Sequence, residues 1–249
     1  MFARPKKQKA TVAELLVKNG FCASLSEAKA LVYAGLVIAN DQRVEKPGQI
    51  LPQDVSLRIK KKDFVSRGGN KLASAIDQLG LSSSFKDKTV LDVGASSGGF
   101  TDCVLQLGAA KVVALDIGFN QLHWSLRTHP QVLSLEKTDI REFDASLHVP
   151  FDWILADISF NTLEKLAPAL VKAASSHTQF LILVKPQFEL PEKDIPSGGV
   201  VYDEQLWDKA IKNAVEAFER LGLKKFEVAK SALKGRSGNQ EFFVYCSWS

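Results

Sequence analysis

Residues 89–108 read T-V-L-D-V-G-A-S-S-G-G-F-T-D-C-V-L-Q-L-G, and their reading decides the fold. Val90, Leu91 and Val93 are a short apolar run of the kind a buried strand carries. Gly94 to Gly99 are all small, and Phe100 to Leu107 have helical spacing closed by Gly108. A strand that passes through glycines into a helix lets backbone N–H groups come close to a ligand. The loop is not G-x-G-x-x-G, because Gly94, Gly98 and Gly99 are spaced differently, and no G-K-[ST] follows. Asp92 puts a carboxylate where the strand becomes loop. A negative group there repels phosphate and suits a cationic or amine-bearing ligand.

Outward from this unit, strand and helix signals alternate. Strands are expected at Val90–Val93, Val112–Asp116, Val132–Glu136, Trp153–Asp157 and Phe180–Lys185. Helices are expected at Lys71–Leu79, Phe100–Leu107, Asn120–Arg127, Leu163–Ala174 and Glu204–Leu221, the last with Asp203 as N-cap and Gly222 as C′ residue. Such alternation predicts a Rossmann-like, doubly wound parallel sheet. Lys225–Ala229 and Phe242–Cys246 add an antiparallel hairpin at one edge, for seven mostly parallel strands.

Composition narrows the class. The 249 residues are 45% hydrophobic, enough for a real core in two modest domains: residues 1–60, a linker at 61–66, and 67–249. The longest uniformly apolar run, Phe180–Val184, is far too short to span a bilayer, and no apolar segment follows the basic start as a signal peptide requires. Cys22, Cys103 and Cys246 offer neither zinc spacing nor a disulfide framework, which points to the cytoplasm. His123, His129, His148 and His177 form no ligand cluster, so no metal is expected. Residues 1–62 hold 12 Lys and Arg against 5 Asp and Glu, a net of +7, while the remainder holds 20 against 23. The basic excess marks the front as a nucleic-acid contact, with Arg4, Lys6, Lys7, Lys9, Lys29 and Arg43 as candidates and Arg67 beyond them.

That front carries two capping-box patterns, Thr11 to Glu14 and Ser24 to Glu27, opening helices that close near Gly20 and at Gly35. Val37–Asp41 reads as a strand entering a turn, and Val55–Ile59 alternates as a strand. The segment G-F-C-A-S-L-S-E-A-K-A-L-V-Y-A-G-L-V-I-A-N-D (20–41) resembles the S4 RNA-binding domain, a small α+β unit. It departs from that family at Leu25, where an arginine usually follows the serine.

In a doubly wound sheet, ligands sit at the carboxyl ends of the strands. Several acids fall there. Asp116 has the position of an acid that bonds ribose hydroxyls. Asp139, with Ile140 beside it, lies just past the third strand, and Asp157 ends the fourth. Lys185 closes the apolar run Leu181–Val184, and burial at that point disfavours an unpaired charge. The pattern D-x-G-x-x-x-G-G, from Asp92 to Gly99, resembles the S-adenosylmethionine loop of Rossmann-like methyltransferases. The resemblance implies cofactor contacts at Asp92, Gly94, Ser96, Gly98, Gly99, Phe100, Asp116, Asp139, Ile140 and Asp157. Lys71, Asp157, Lys185 and Glu241 match the Lys-Asp-Lys-Glu tetrad of ribose 2′-O-methyltransferases. A free lysine has a pKa of roughly 10.4. A second lysine and desolvation lower it, so Lys185 is expected as the base, Lys71 as its electrostatic neighbour, and Asp157 and Glu241 as orienting groups.

Residues 10–246 resemble the TlyA, or haemolysin-A-like, rRNA 2′-O-methyltransferases. The diagnostic segments are F-V-S-R-G-G-N-K-L, L-D-V-G-A-S-S-G-G-F-T-D, D-I-G-F-N-Q-L-H-W-S-L-R, A-D-I-S-F, L-V-K-P-Q-F-E and S-G-G-V-V-Y-D. Departures are Lys62-Asp-Phe-Val65, where the family often has Arg-Ala-Trp-Val, and Asn161. The resemblance implies S-adenosylmethionine-dependent methylation of a cytidine ribose in ribosomal RNA by a monomer. The end at Ser249 is similar to members that modify large-subunit RNA only. A non-enzymatic ribosome-assembly protein predicts loss of tetrad residues, yet all four are present. A cytolysin needs a membrane-inserting segment, and a small-molecule methyltransferase leaves the basic front unexplained.

Overall fold

The computed structural model describes residues 8–60 and 63–248. The expected RNA contacts Arg4, Lys6 and Lys7 lie outside the described residues. The chain divides after Asp63 into two compact units.

The first unit runs β1 (Lys9–Thr11), α1 (Val12–Lys18), α2 (Leu25–Tyr33), β2 (Val37–Ala39), β3 (Gln42–Arg43), β4 (Ile50–Pro52) and β5 (Leu57–Ile59). The Thr11 capping box is complete: the Glu14 N–H reaches Thr11 Oγ1 at 3.3 Å, and the Glu14 carboxylate accepts the Thr11 N–H at 2.9 Å. Ser24 caps α2 through the Glu27 N–H, but the Glu27 carboxylate takes the N–H of Ala23 rather than that of Ser24. Asn40 and Asp41 both have positive φ, the backbone of a tight turn that joins β2 to β3 and that short polar side chains tolerate. Val12, Leu15, Leu16, Ala28, Val32, Val37 and Val44 are the core. The pairing of β1 with β4 is not visible in the sequence, since two three-residue strands carry no alternation to read.

The second unit contains α3 (Arg67–Gln78), β6 (Thr89–Val93), α4 (Gly99–Gln106), β7 (Lys111–Asp116), α5 (Trp124–Arg127), β8 (Val132–Glu136), β9 (Trp153–Ala156), α6 (Leu163–Lys172), β10 (Gln179–Val184), α7 (Pro186–Glu189), α8 (Glu204–Glu219), β11 (Lys225–Lys230) and β12 (Phe242–Ser247). The seven strands form one sheet in the order β11-β12-β10-β9-β6-β7-β8. Only β12 runs against its neighbours β10 and β11; the pairs from β10 to β8 are parallel. The order reverses between β6 and β9, where an open α/β sheet has its ligand crevice. Alternation along the strands sends Leu91, Ile154, Ile182 and Val244 to one core with α6 and α8, and Val90, Leu155, Leu183 and Phe243 to another with α3 and α4.

Four expectations are corrected. Residues 64–66 are not a free linker: Phe64 packs with Leu72 and Phe100, and the Val65 N–H donates to Asp102 Oδ2 at 2.9 Å. Helix α3 begins at Arg67, four residues before Lys71, with Ser66 as N-cap, and its Gly68 and Gly69 pack closely against Gly99 of α4. A Cβ on Gly69 would meet the Phe64 ring at 2.4 Å. The helix expected from Asn120 starts only at Trp124. The Glu136 carboxylate captures the N–H groups of Asn120, Gln121 and Leu122, holding them as a loop. Helix α8 ends at Glu219, two residues short of the expected Leu221, with Arg220 as C-cap and Gly222 two residues beyond it. Asp203 caps its start, and at its end the Gly222 N–H returns to the Glu219 carbonyl and the Leu223 N–H to that of Phe218.

Candidate active site

The strand β6 ends at Val93, and the chain turns sharply at Gly94, whose φ is +81°. A Cβ there would lie 2.4 Å from the Asp157 carbonyl oxygen, so only glycine lets these two strand ends approach. The loop continues to Gly98, the left-handed N-cap of α4. Two adjoining clefts flank it. The first, about 370 Å³, is lined by Gly94, Ser96, Asp116, Asp139, Ile140 and Asp157 among others. The second, about 360 Å³, is lined by Arg67, Lys71, Gly99, Phe100, Arg236 and, again, Asp157.

Two expected loop residues stand apart from both clefts. Asp92 is fully buried; its Oδ2 accepts the Thr101 hydroxyl at 2.6 Å and its Oδ1 has no partner among the described residues. Alternation turns it toward α4 and away from the crevice, and burial, reinforced by Asp157 and Asp116, pushes its carboxyl up to about 7. It braces the loop from behind, through the Thr101 hydroxyl. Gly98 is likewise packed: a Cβ would strike Leu126 at 2.2 Å.

Asp116 and Asp139 do face the first cleft. Asp116 Oδ2 accepts the Ser96 N–H and Oδ1 the Gly118 N–H, both at 2.7 Å. Each oxygen retains a lone pair for a further donor. Asp139 is held by the Arg141 guanidinium on both oxygens, which keeps its carboxyl below the usual range.

The tetrad forms two ion pairs at the same edge of the sheet. Lys185, directly after β10, places Nζ 2.7 Å from Asp157 Oδ1 and 2.7 Å from Ser159 Oγ. Lys71 of α3 bonds Glu241 Oε2 at 2.5 Å. Both lysines are 9% exposed and Glu241 3%. Because β12 is antiparallel, its beginning lies at this edge, which is how Glu241 arrives there. Sequence reasoning missed Ser159 and Arg236; both lie in loops whose path no local pattern dictates. Arg67, in the second cleft, donates to the Lys234 carbonyl at 3.0 Å. Lys9, Lys29 and Arg43 are exposed in the first unit. Among the described residues no group of three His, Cys, Asp or Glu side chains could hold a metal ion, and no helix is long and apolar enough to cross a membrane.

A doubly wound sheet with one reversed strand, a glycine loop at its switch point and two paired lysines defines a Rossmann-like methyltransferase. The FtsJ-like methyltransferase family matches residues 64–248, and the chain belongs to that family. It is 36% identical over 242 residues, 96% of this chain and 90% of the relative, to the 16S/23S rRNA (cytidine-2′-O)-methyltransferase TlyA of Mycobacterium tuberculosis. It is 35% identical to Hemolysin A of Brachyspira hyodysenteriae, over 93% of this chain and 97% of that one. Among solved structures, one described as a hemolysin from Streptococcus thermophilus superposes with a TM-score of 0.70 at 34% identity, covering 96% of this chain and 88% of the other.

Proposed function

We propose that this methyltransferase uses S-adenosylmethionine to methylate the 2′-hydroxyl of a cytidine in ribosomal RNA, acting as a monomer without metal, with Lys185 as general base. The observation that carries the reading is the pair of lysine–carboxylate contacts beside the glycine loop. A poor nucleophile such as a ribose hydroxyl needs this kind of help. The relatives' rRNA (cytidine-2′-O)-methyltransferase names supply the acceptor class.

The first cleft fits the cofactor chemically. Gly94 lets its backbone come close, and the free lone pairs of Asp116 suit the two hydroxyls of a ribose. S-adenosylmethionine, when bound, supplies an electrophilic methyl on a sulfonium. The remaining work belongs to the chain's residues. Lys185 takes the hydroxyl proton at Nζ. Asp157 and Ser159 hold that amine in line, and Lys71, fixed by Glu241, adds positive charge beside the oxygen as it becomes an anion. The exposed Lys9, Lys29 and Arg43 engage RNA phosphates, as an S4-like unit would, and Arg67 does so beside the reaction centre.

The test is to map 2′-O-methyl groups on ribosomal RNA from cells with and without the protein, and to repeat the methylation with purified subunits. A single cytidine that loses its methyl in the deletion and regains it in vitro is the expected result. An unchanged map refutes the reading.

A further inference from the structure

Helix α6 is capped by a side chain from another element. Its N-cap residue, Thr162, makes no side-chain cap bond. Both carboxylate oxygens of Glu189 instead accept the N–H of Leu163, each at 3.1 Å. In this unit His123 and Asp203 cap α5 and α8 locally, whereas α3, α4 and α7, like α6, have no side-chain bond from the N-cap residue. At α6 the cap comes from the end of α7, four residues after Lys185, which is the N-cap of that turn.

The two segments joined in this way are the ones that matter for chemistry. The loop 157–162 carries Asp157 and Ser159, both 2.7 Å from Lys185 Nζ. The turn 185–189 carries Lys185 itself. Asn213 of α8 donates to the Glu189 carbonyl at 2.9 Å, fixing the turn from its other side. The loop needs such a tie. Phe160 sits in it with φ +65° and is 87% exposed, a left-handed backbone that a bulky residue keeps only when its surroundings hold it. Glu189 is 8% exposed, and its burial, with Glu164 nearby, pushes the carboxyl up to about 7. Keeping a carboxyl there is costly, so its position asks for a reason beyond capping.

We propose that Glu189 is a positioning residue for methyl transfer, setting the placement of the Asp157–Ser159 loop against Lys185 without touching substrate or cofactor. This rests on the reading that the Lys185–Asp157 pair is the reaction centre. A misplacement of about 1 Å costs up to roughly 100-fold in rate.

The experiment compares Glu189→Ala, Glu189→Gln and Glu189→Asp in the full chain, using ribosomal RNA lacking the 2′-O-methyl as acceptor. Rates, S-adenosylmethionine affinity by calorimetry and amide exchange at Leu163 are read for each. Glu189→Ala is expected to lower kcat roughly 10- to 100-fold with less than about a threefold change in cofactor Kd or RNA KM, and to expose the Leu163 amide. Glu189→Gln, which keeps the reach and an acceptor oxygen, restores most of kcat and the amide protection; Glu189→Asp, too short, does not. Wild-type kcat in Glu189→Ala, or a loss that Glu189→Gln fails to recover, overturns the proposal. If Glu189→Ala does not fold, the Gln and Asp variants decide on the same criteria. Full turnover in Lys185→Ala, measured alongside, defeats the reading of the reaction centre instead, while the Leu163 exchange still reports whether Glu189 ties the two segments.

Discussion

Lys185 Nζ lies 2.7 Å from Asp157 Oδ1, and strand register explains why. Ile182 of β10 pairs with Ala156 of β9, so the two residues leave neighbouring parallel strands at one edge. Lys185→Ala is expected to lower methyl transfer by on the order of 10²–10⁴-fold while cofactor affinity stays near wild type. Lys185→Arg keeps the charge and the Asp157 partner but cannot give up its proton, so it stays equally inactive. Tritium transfer and calorimetry measure both, and substantial turnover in the arginine variant rules out the base assignment.

The Lys71–Glu241 pair makes a stability prediction. Both groups are buried, so removing one leaves the other uncompensated. Glu241→Ala is expected to cost about 3–5 kcal/mol, whereas Lys71→Met combined with Glu241→Leu costs far less than two such losses. Urea unfolding of the single and double variants gives the coupling directly; additive losses contradict a buried pair.

Gly94 and Gly199 separate strain from collision. Both have positive φ, +81° and +70°, but only at Gly94 would a Cβ meet backbone, the Asp157 carbonyl at 2.4 Å. Either alanine variant carries the left-handed penalty of about 1–3 kcal/mol. Gly94→Ala alone should also weaken S-adenosylmethionine binding, at least tenfold by calorimetry, because the Asp157 strand end must move. Equal cofactor affinity in the two variants counts against a cofactor role for the first cleft.

Two buried acids set a pH dependence. Asp92 and Glu189 are held near 7, above their usual 3.8 and 4.5. The folded chain therefore keeps protons that the unfolded chain releases, and stability falls as pH rises from about 4 to 7. At one pKa unit per roughly 1.4 kcal/mol, each group costs on the order of 3–4 kcal/mol above pH 7 compared with pH 4. Asp92→Asn removes one such group and keeps an acceptor for the Thr101 hydroxyl. Its unfolding free energy should change by about 2–3 kcal/mol less between pH 5 and pH 8 than that of the wild type. Parallel pH curves for the two proteins would show that Asp92 does not titrate in this range.

Deleting residues 1–60 should weaken RNA binding and flatten its salt dependence, since phosphate contacts release counterions. Filter binding across a salt series measures both, and an unchanged slope leaves the basic front without a part in recognition.

Much of this was legible in the chain because strand ends follow from hydrophobic runs. Asp116, Asp157 and Lys185 each close such a run; Asp116 and Asp157 line the first cleft, and Lys185 pairs with Asp157. Glu241 was legible only as the start of a strand; that it meets Lys71, 170 residues away, depends on β12 being reversed. At Asp92 the sequence shows a carboxylate beside a glycine loop but not the direction in which it turns. One residue of alternation decides whether it faces the crevice or α4, and it faces α4. The loop before α5 escaped because its fate hangs on Glu136, a residue on the next strand. Ser159 and the cross-loop cap by Glu189 are tertiary facts, with no local periodicity to announce them.

The place of β12 has a further meaning for synthesis. It is the last strand of its sheet in the chain, yet it lies between β10 and β11. A nascent polypeptide that has emerged only through residue 230 has every parallel strand available but no partner between those two, and no Glu241 for the buried ammonium of Lys71. Local pairs can form early, but this central insertion closes a contact of large sequence separation. On the proposed reading of the site, a chain that ends before β12 lacks the carboxylate that fixes Lys71, so methyl transfer waits on the last strand.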